Sequence, residues 1–306
     1  MSAIAWRAVI VALLCWTISA PAHCQSADAD AAAQARREES RAAYTAAMQA
    51  ATAGPAKVPL RDQGTLDLPA GMSFIPEEQG ARLMRANGNR PGPSFAGLVM
   101  GGPAADWFVV MNLIKDGYVR DDDARDWNAD DLLTALREGN DESNKDRAAR
   151  GFPQIELRGW VQKPSYDAAT HRLVWSMATK AQGEDDQGVN YNTYALGRDG
   201  HLSLNLITDL SRIDANRSVA TDLLARFQYL PGKRYDDFNA TTDRVAEYGL
   251  AALIGVAAAK KLGLLAVIAA FALKFAKVGL LGVVGVGALI AKFWRRKPPA
   301  GGTPAA

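Results

Sequence analysis

Asp121, Asp122, Asp123, Asp126, Asn128 and Asp130 crowd one short stretch of this 306-residue chain. Calcium takes six to eight oxygen ligands, and such a run can supply several. Asp121, Asp123 and Asp126 are therefore the candidate metal ligands. The spacing is not that of an EF-hand, because a loop begun at Asp121 puts Asp126 where glycine is required and Leu132 where a bidentate glutamate belongs. A loop begun at Asp126 puts Asp131 at the glycine position. A solvated turn followed by helix-start acids explains the run as well and is the expectation, so neither a metal nor a cofactor is assigned.

Nucleophilic and phosphate chemistry finds little to stand on. The chain holds no G-x-S-x-G, H-E-x-x-H, P-loop or G-x-G-x-x-G sequence. Residues 57–247 contain two histidines, His171 and His201, and no cysteine, which argues against a His/Cys metal cage and a thiol nucleophile. No catalytic residue is assigned. A second candidate is a surface of mixed donors. If Asp199-Gly200 is a two-residue hairpin turn, Arg198 pairs with His201, Leu196 with Ser203, Tyr194 with Asn205 and Asn192 with Ile207. Alternation then gathers Asn192, Tyr194, Arg198, His201, Ser203 and Asn205 on one face, with Leu202, Leu204 and Leu206 on the other. That polar face suits a glycan, a peptide or a partner protein, and an ordinary solvated sheet face is the plainer account. Trp160 shares strand parity with Glu156 and Arg158, away from Ile155, Leu157 and Val161, so it is either a binding platform or covered by another element.

The elements that must position these residues follow from punctuation and period. Pro76, Glu77 and Glu78 open a helix that Gly88 closes; Asn128 caps another, with Leu132, Leu133 and Leu136 on one face and Gly139 as its stop. Residues 106–115 read as a buried strand. Residues 154–162 and 171–179 form one hairpin around a turn at 164–170, and residues 189–198 and 201–208 form a second. Ser211-Arg212-Ile213-Asp214 reads as a capping box before a helix with Val219, Leu223, Leu224 and Phe227 on its stripe. Strands joined by tight turns predict an α+β fold, an antiparallel sheet built from hairpins with helices packed against it.

The ends of the chain carry a different signature. Arg7, an apolar run over residues 8–19 and Ala20-Pro21-Ala22 fit a secretory signal, with an uncleaved anchor as the alternative. Only Cys24 remains beyond it, so no intrachain disulfide forms. An alanine-rich helical spacer follows at 23–56, with Tyr44, Met48 and Ala51 as its apolar stripe. Residues 57–247, the extracytoplasmic domain, hold 23 Lys/Arg against 29 Asp/Glu, whereas residues 248–306 hold 8 Lys/Arg and no acid. Apolar runs at 262–273 and 278–291 are each shorter than the roughly 20 residues of a span, and together they enclose Lys274 and Lys277. One C-terminal transmembrane helix within an anchor region at 248–297 is expected, ahead of a two-helix hairpin. Lys292, Arg295, Arg296 and Lys297 mark its cytoplasmic end, and 298–306 is a disordered tail. The body then lies in the periplasm of a bacterial inner-membrane protein. Membrane lipid and another envelope protein are the expected partners; the charge pattern does not suit nucleic acid, and the oligomeric state is not legible.

Gly117-Tyr118-Val119 running into Asp121-Asp122-Asp123-Ala124, Gly159-Trp160 before Pro164-x-Tyr166-Asp167, Asn190-Tyr191, Leu196-Gly197-Arg198-x-Gly200 and Tyr248-Gly249-Leu250-Ala251 together resemble a family of bacterial membrane-anchored proteins, domain of unknown function 2167. The resemblance runs over about residues 58–294. It implies a single domain and an envelope location and carries no activity. The leading expectation is a non-catalytic binding or interaction module; the alternative is a hydrolase or metal-dependent enzyme acting on an envelope substrate.

Overall fold

The computed structural model describes residues 23–125 and 127–255. The expected signal, the lysine-bearing apolar runs with their basic end, the tail and Asp126 lie outside the described residues. Among the described residues no helix is long and apolar enough to cross a membrane.

In chain order the elements are α1 (His23–Gln49), β1 (Thr52–Ala53), β2 (Ala56–Leu60), β3 (Gly64–Leu68), β4 (Met72–Ile75), α2 (Glu77–Ala86), β5 (Phe95–Gly101), β6 (Trp107–Ile114), β7 (Tyr118–Arg120) and α3 (Ala129–Ala149). They continue with β8 (Ile155–Asp167), β9 (Arg172–Ala181), β10 (Gly188–Leu196), β11 (His201–Asp209), α4 (Ile213–Ala225), β12 (Phe227–Tyr229) and β13 (Val245–Gly249). The fold is α+β. Its centre is an eight-stranded sheet in the order β1-β4-β5-β6-β11-β10-β9-β8, antiparallel at every pairing. A small antiparallel sheet, β12-β3-β2, and a parallel pair, β13-β7, complete it.

One face of the large sheet carries Leu202, Leu204, Leu206, Val109 and Met111 against α4 and the small sheet, with Leu223, Leu224 and Phe227 opposite. The other face is divided. Over β4 to β6, α1 and α2 cover Ile75, Phe95, Leu98 and Val110. Over β8 to β10, the start of α3, the β7-β13 pair and a single turn at Leu250–Leu253 cover Leu173, Trp175, Met177 and Tyr194. The packed body thus continues past Glu247, since Leu250 and Ile254 are buried with the sheet.

Several local expectations need correction, each for a physical reason. The helix capped by Asn128, whose Oδ1 accepts the Asp130 and Asp131 N–H groups at 2.8 and 3.3 Å, runs through Gly139 and ends at Arg150, with Gly151 at positive φ. The residues after Gly139 include weak helix formers, and tertiary bonds hold the helix on: Asn140 and Asn144 donate to Ile155 O at 2.7 and 2.8 Å, and the Ile155 N–H donates to Asn144 Oδ1 at 2.8 Å. Nothing lies within 4 Å of a Cβ at Gly139. Gly139→Ala is therefore expected to stabilise the protein by about 0.5–1 kcal/mol, read as a higher urea midpoint at unchanged slope.

On α1 the buried residues are Ala43 and Ala47, while Tyr44 and Met48 face solvent. Close packing against α2 selects the smallest side chains rather than the most apolar stripe. Ser211 sits in a 3-10 turn, Leu210–Arg212, and makes no cap; Phe227 belongs to β12, beyond the helix whose stripe it was expected to join. In the second hairpin Leu196 lies opposite His201, Tyr194 opposite Ser203 and Asn192 opposite Asn205. This is two positions from the expected register, because residues 197–200 form a longer loop closed by the Gly197 N–H donating to Gly200 O at 2.8 Å. A shift of two keeps every residue on its face.

In β8 the pairing slips between Leu157 and Gly159 and again beyond Trp160. Each extra residue reverses parity, so Trp160 turns inward with Leu157 and Val161 is left exposed.

Candidate functional site

Asp121, Tyr166, His171 and Asp236 bring four separate segments to one place. Tyr166 donates its phenol proton to Asp121 Oδ2 at 2.6 Å, and His171 Nδ1 lies 3.1 Å from the same phenol oxygen. With the phenol hydrogen directed at the carboxylate, the Nδ1–H tautomer of His171 donates to the phenol oxygen. Nε2 faces Asp236 Oδ1 at 3.4 Å. Burial, reinforced by the neighbouring Asp121 carboxylate, pushes the Tyr166 phenol well above its usual range, so it stays a donor. His171 is one of two non-glycine residues at positive φ among the described residues, 52°, and its ring lies 4.0 Å from that of Tyr235. Tyr235 stacks on Tyr118 at 4.4 Å, and Tyr118 on Phe238 at 3.9 Å.

The two carboxylates address opposite nitrogens of His171 and so converge on no common point. Among the described residues no three His, Cys, Asp or Glu side chains gather as a metal would need. The His171 contacts are a phenol and carboxylates rather than a hydroxyl or thiol nucleophile. This arrangement ties the segment after β7, β8, the turn before β9 and the 235–238 segment together.

Asp123 has a different task from the one its position in the acidic run suggested. Its Oδ1 accepts the Leu250 N–H at 2.9 Å and its Oδ2 the Ala251 N–H at 3.2 Å, which caps the turn at 250–253. Tyr194 closes the far end of that turn by donating to Leu253 O at 3.0 Å. The candidate metal ligands Asp121 and Asp123 thus accept hydrogen bonds from the protein's own donors. Asp123→Ala is expected to cost about 1–3 kcal/mol and to accelerate amide exchange across residues 250–254 by tenfold or more, measured by hydrogen-exchange mass spectrometry.

The expected polar face is assembled but not open. Asn192 and Asn205 are opposite neighbours, as are Tyr194 and Ser203, and His201 follows them along β11. Asn192, Tyr194, Ser203 and His201 are all buried. They form a polar strip on the sheet between the two apolar clusters, in which Trp175 Nε1, His201 Nδ1 and Asn205 Oδ1 have no hydrogen-bond partner among the described residues. Burial pushes the His201 imidazole down to about 4, with Asp116 weakly opposing the shift. Arg198 is not on this face. It sits in the loop past β10 and forks Asp243 at 2.7 and 2.8 Å, and this pairing holds the Asp243 carboxyl far below the usual range. Trp160 is covered by α3, donating its indole N–H to Ala129 O at 3.1 Å, with an edge contact to Trp175 at 5.9 Å.

Sequence reasoning missed the Asp121–Tyr166–His171–Asp236 hub. Its residues are dozens of positions apart, and only the scarcity of histidine in the body marked His171 for attention.

A family model described as "Protein of unknown function (DUF2167)" matches residues 52–287. The solution structure of cyanobacterial PsbP (CyanoP) from Synechocystis sp. PCC 6803 is similar over 59% of this chain and 91% of that chain, with 13% identity and a TM-score of 0.36. No curated protein matches.

Proposed function

The chain belongs to the DUF2167 family of proteins of unknown function, and on that premise we propose that it is a membrane-tethered, non-catalytic module of the bacterial envelope whose body faces the periplasm and binds a partner protein. The supporting observation is how the chain leaves the body. Val245–Gly249 pairs with β7, Asp123 caps the following turn, Tyr194 holds its far end, and Leu250 and Ile254 are buried beneath it. The stretch of apolar residues, glycines and lysines begins immediately afterwards. Anchoring the exit this firmly suits a body whose orientation to its tether matters, as in a binding module presented at a surface. The charge pattern adds support, since the acidic body meets a lysine- and arginine-bearing end with no acid. In this reading residues 1–22 are an export signal and residues past Gly255 contain the tether.

The test is a membrane-impermeant amine crosslinker applied to spheroplasts expressing the full chain, followed by detergent purification and mass spectrometry. Crosslinks on lysines of the body to one reproducible partner, absent from a variant lacking residues 57–247, are the expected result. A body that remains unlabelled until the cells are lysed overturns the periplasmic orientation. A partner retained after deletion of the body assigns binding to the tether, and capture of no specific partner overturns the interaction reading.

A further inference from the structure

The body is acidic in sum, yet four arginines from three helices meet at one opening. Arg36 of α1, Arg82 and Arg85 of α2 and Arg150 at the end of α3 line a cavity of about 590 Å³, in which Glu39 is the one acid among the described lining residues. Two of the four guanidinium groups are fixed by the protein. Arg82 forks Glu39 at 2.8 and 2.9 Å, and Arg150 bonds Asp146 at 2.6 Å and Gly88 O at 2.9 Å. Phe152 backs the cavity, with the Arg150 guanidinium 5.3 Å from its ring centroid.

The remaining two are different. Arg36 and Arg85 have no hydrogen-bond or ion-pair partner among the described residues. Arg85 lies in the last turn of α2, where its charge also faces that helix's C-terminal dipole, and Arg36 approaches the end of α3. Arg147 donates to Pro153 O, past the end of α3, at 2.8 Å and to Gly88 O, past the end of α2, at 3.1 Å, and Arg150 also donates to Gly88 O. Arg36 reaches within 3.4 Å of where a Gly151 Cβ would stand but donates to no carbonyl among the described residues. Two arginines without a partner among the described residues therefore face a cavity whose other two are already oriented.

We propose that this junction of α1, α2 and α3 binds a phosphate-bearing ligand, its oxygens held between Arg36 and Arg85 with Arg82 and Arg150 as the fixed cationic wall. A tetrahedral anion offers several oxygens at once and so engages guanidinium forks arriving from different helices, which a single carboxylate satisfies less fully. The cavity is larger than inorganic phosphate requires and falls in the range of small-molecule sites, which leaves room for the group esterified to it. Soluble phosphate compounds and anionic lipid headgroups share this chemistry. The proposal stands independently of the tether and of the partner protein proposed above.

The test uses the full chain purified in a neutral detergent, titrated at constant ionic strength with inorganic phosphate and, separately, with short-chain phosphatidylglycerol below its micelle concentration. The wild type is expected to show saturable binding of at least one probe. Arg36→Gln with Arg85→Gln is expected to weaken it roughly tenfold or more. Arg37→Gln with Arg41→Gln, which removes the same charge from α1 outside the cavity, is expected to leave binding within about twofold. Because Arg36 and Arg85 have no partner among the described residues, their double variant is expected to melt within about 2 °C of wild type; the single Arg85→Gln variant serves if it does not. Tighter binding of phosphate identifies a soluble ligand, and tighter binding of phosphatidylglycerol identifies a lipid headgroup. No saturation with either probe, or equal weakening in both double variants, overturns the proposal.

Discussion

Gly200→Ala is expected to destabilise the protein by about 3 kcal/mol or more, making it one of the most damaging single-methyl additions in the chain. Gly200 has φ +154°, and a Cβ there would stand 1.9 Å from Ile114 O, 2.8 Å from Ile114 C and 3.1 Å from Lys115 Cα. All three are backbone atoms at the end of β6, so no side-chain rotation relieves the contact. The loop cannot retreat easily either. Asp199 O accepts the Gly117 N–H at 3.0 Å, the Arg198 N–H donates to Lys233 O at 3.0 Å, and Arg198 forks Asp243. Moving the loop would break bonds to two other segments. Urea unfolding of the full chain, followed by circular dichroism, measures the effect. A midpoint matching wild type would show that the loop relaxes and that the close approach to β6 is not obligatory.

Gly200 also shows which parts of the molecule were legible in one dimension. Asp199-Gly200 correctly marks a reversal between two strands, because turn chemistry is local. Its length was misjudged because the loop is shaped by the backbone of Ile114 and Lys115, far away in sequence. The Asn128 cap was legible for the same reason that the turn was, since donor and acceptor lie within three residues. Trp160 was assigned to the wrong side because counting by twos assumes an unbroken ladder, and β8 inserts extra residues beside Gly159 and beyond Trp160. Tyr44 and Met48 outrank Ala43 and Ala47 in hydrophobicity, but the distance between two helices chooses by size. The α+β class and the division of faces around Leu202, Leu204 and Leu206 survived these errors, because a register error of two leaves faces unchanged. The candidate site was the least legible. Asp121 and Asp123 looked like neighbours in one acidic run, whereas their partners, Tyr166 and the Leu250 and Ala251 amides, arrive from distant segments. Two aspartates two residues apart thus perform separate structural tasks, one in the His171 hub and one at the exit of the chain.

The second large effect concerns acid. His201 is 5% exposed, its Nδ1 has no partner among the described residues, and the Tyr194 ring lies beside it at 5.8 Å. Charging the ring there means placing a cation in a site with little to solvate it; Asp116, itself bonded to the Tyr248 hydroxyl at 3.0 Å, provides only a weak opposing field. The folded-state value of about 4 lies below the ordinary 6.5. Between these values the unfolded chain binds the proton and the folded chain does not, so stability rises with pH across this window. The contribution is fully present above pH about 6.5, is lost progressively as pH falls towards 4, and amounts to about 3 kcal/mol over the whole interval. Carboxylates titrate in the same range, so the informative quantity is the difference between wild type and His201→Leu, which removes the titrating group and its unpaired nitrogen together. Wild type is expected to lose about 2–3 kcal/mol more than the variant between pH 7 and pH 4.5, measured by urea unfolding at each pH. Superimposable pH profiles would mean that the buried ring is solvated by a route that hydrogen bonds of the native fold do not reveal. A steeper wild-type profile would instead identify the polar strip on the sheet as an acid-sensitive part of the fold, lying directly beneath the Tyr194 hydroxyl that holds the chain's exit turn.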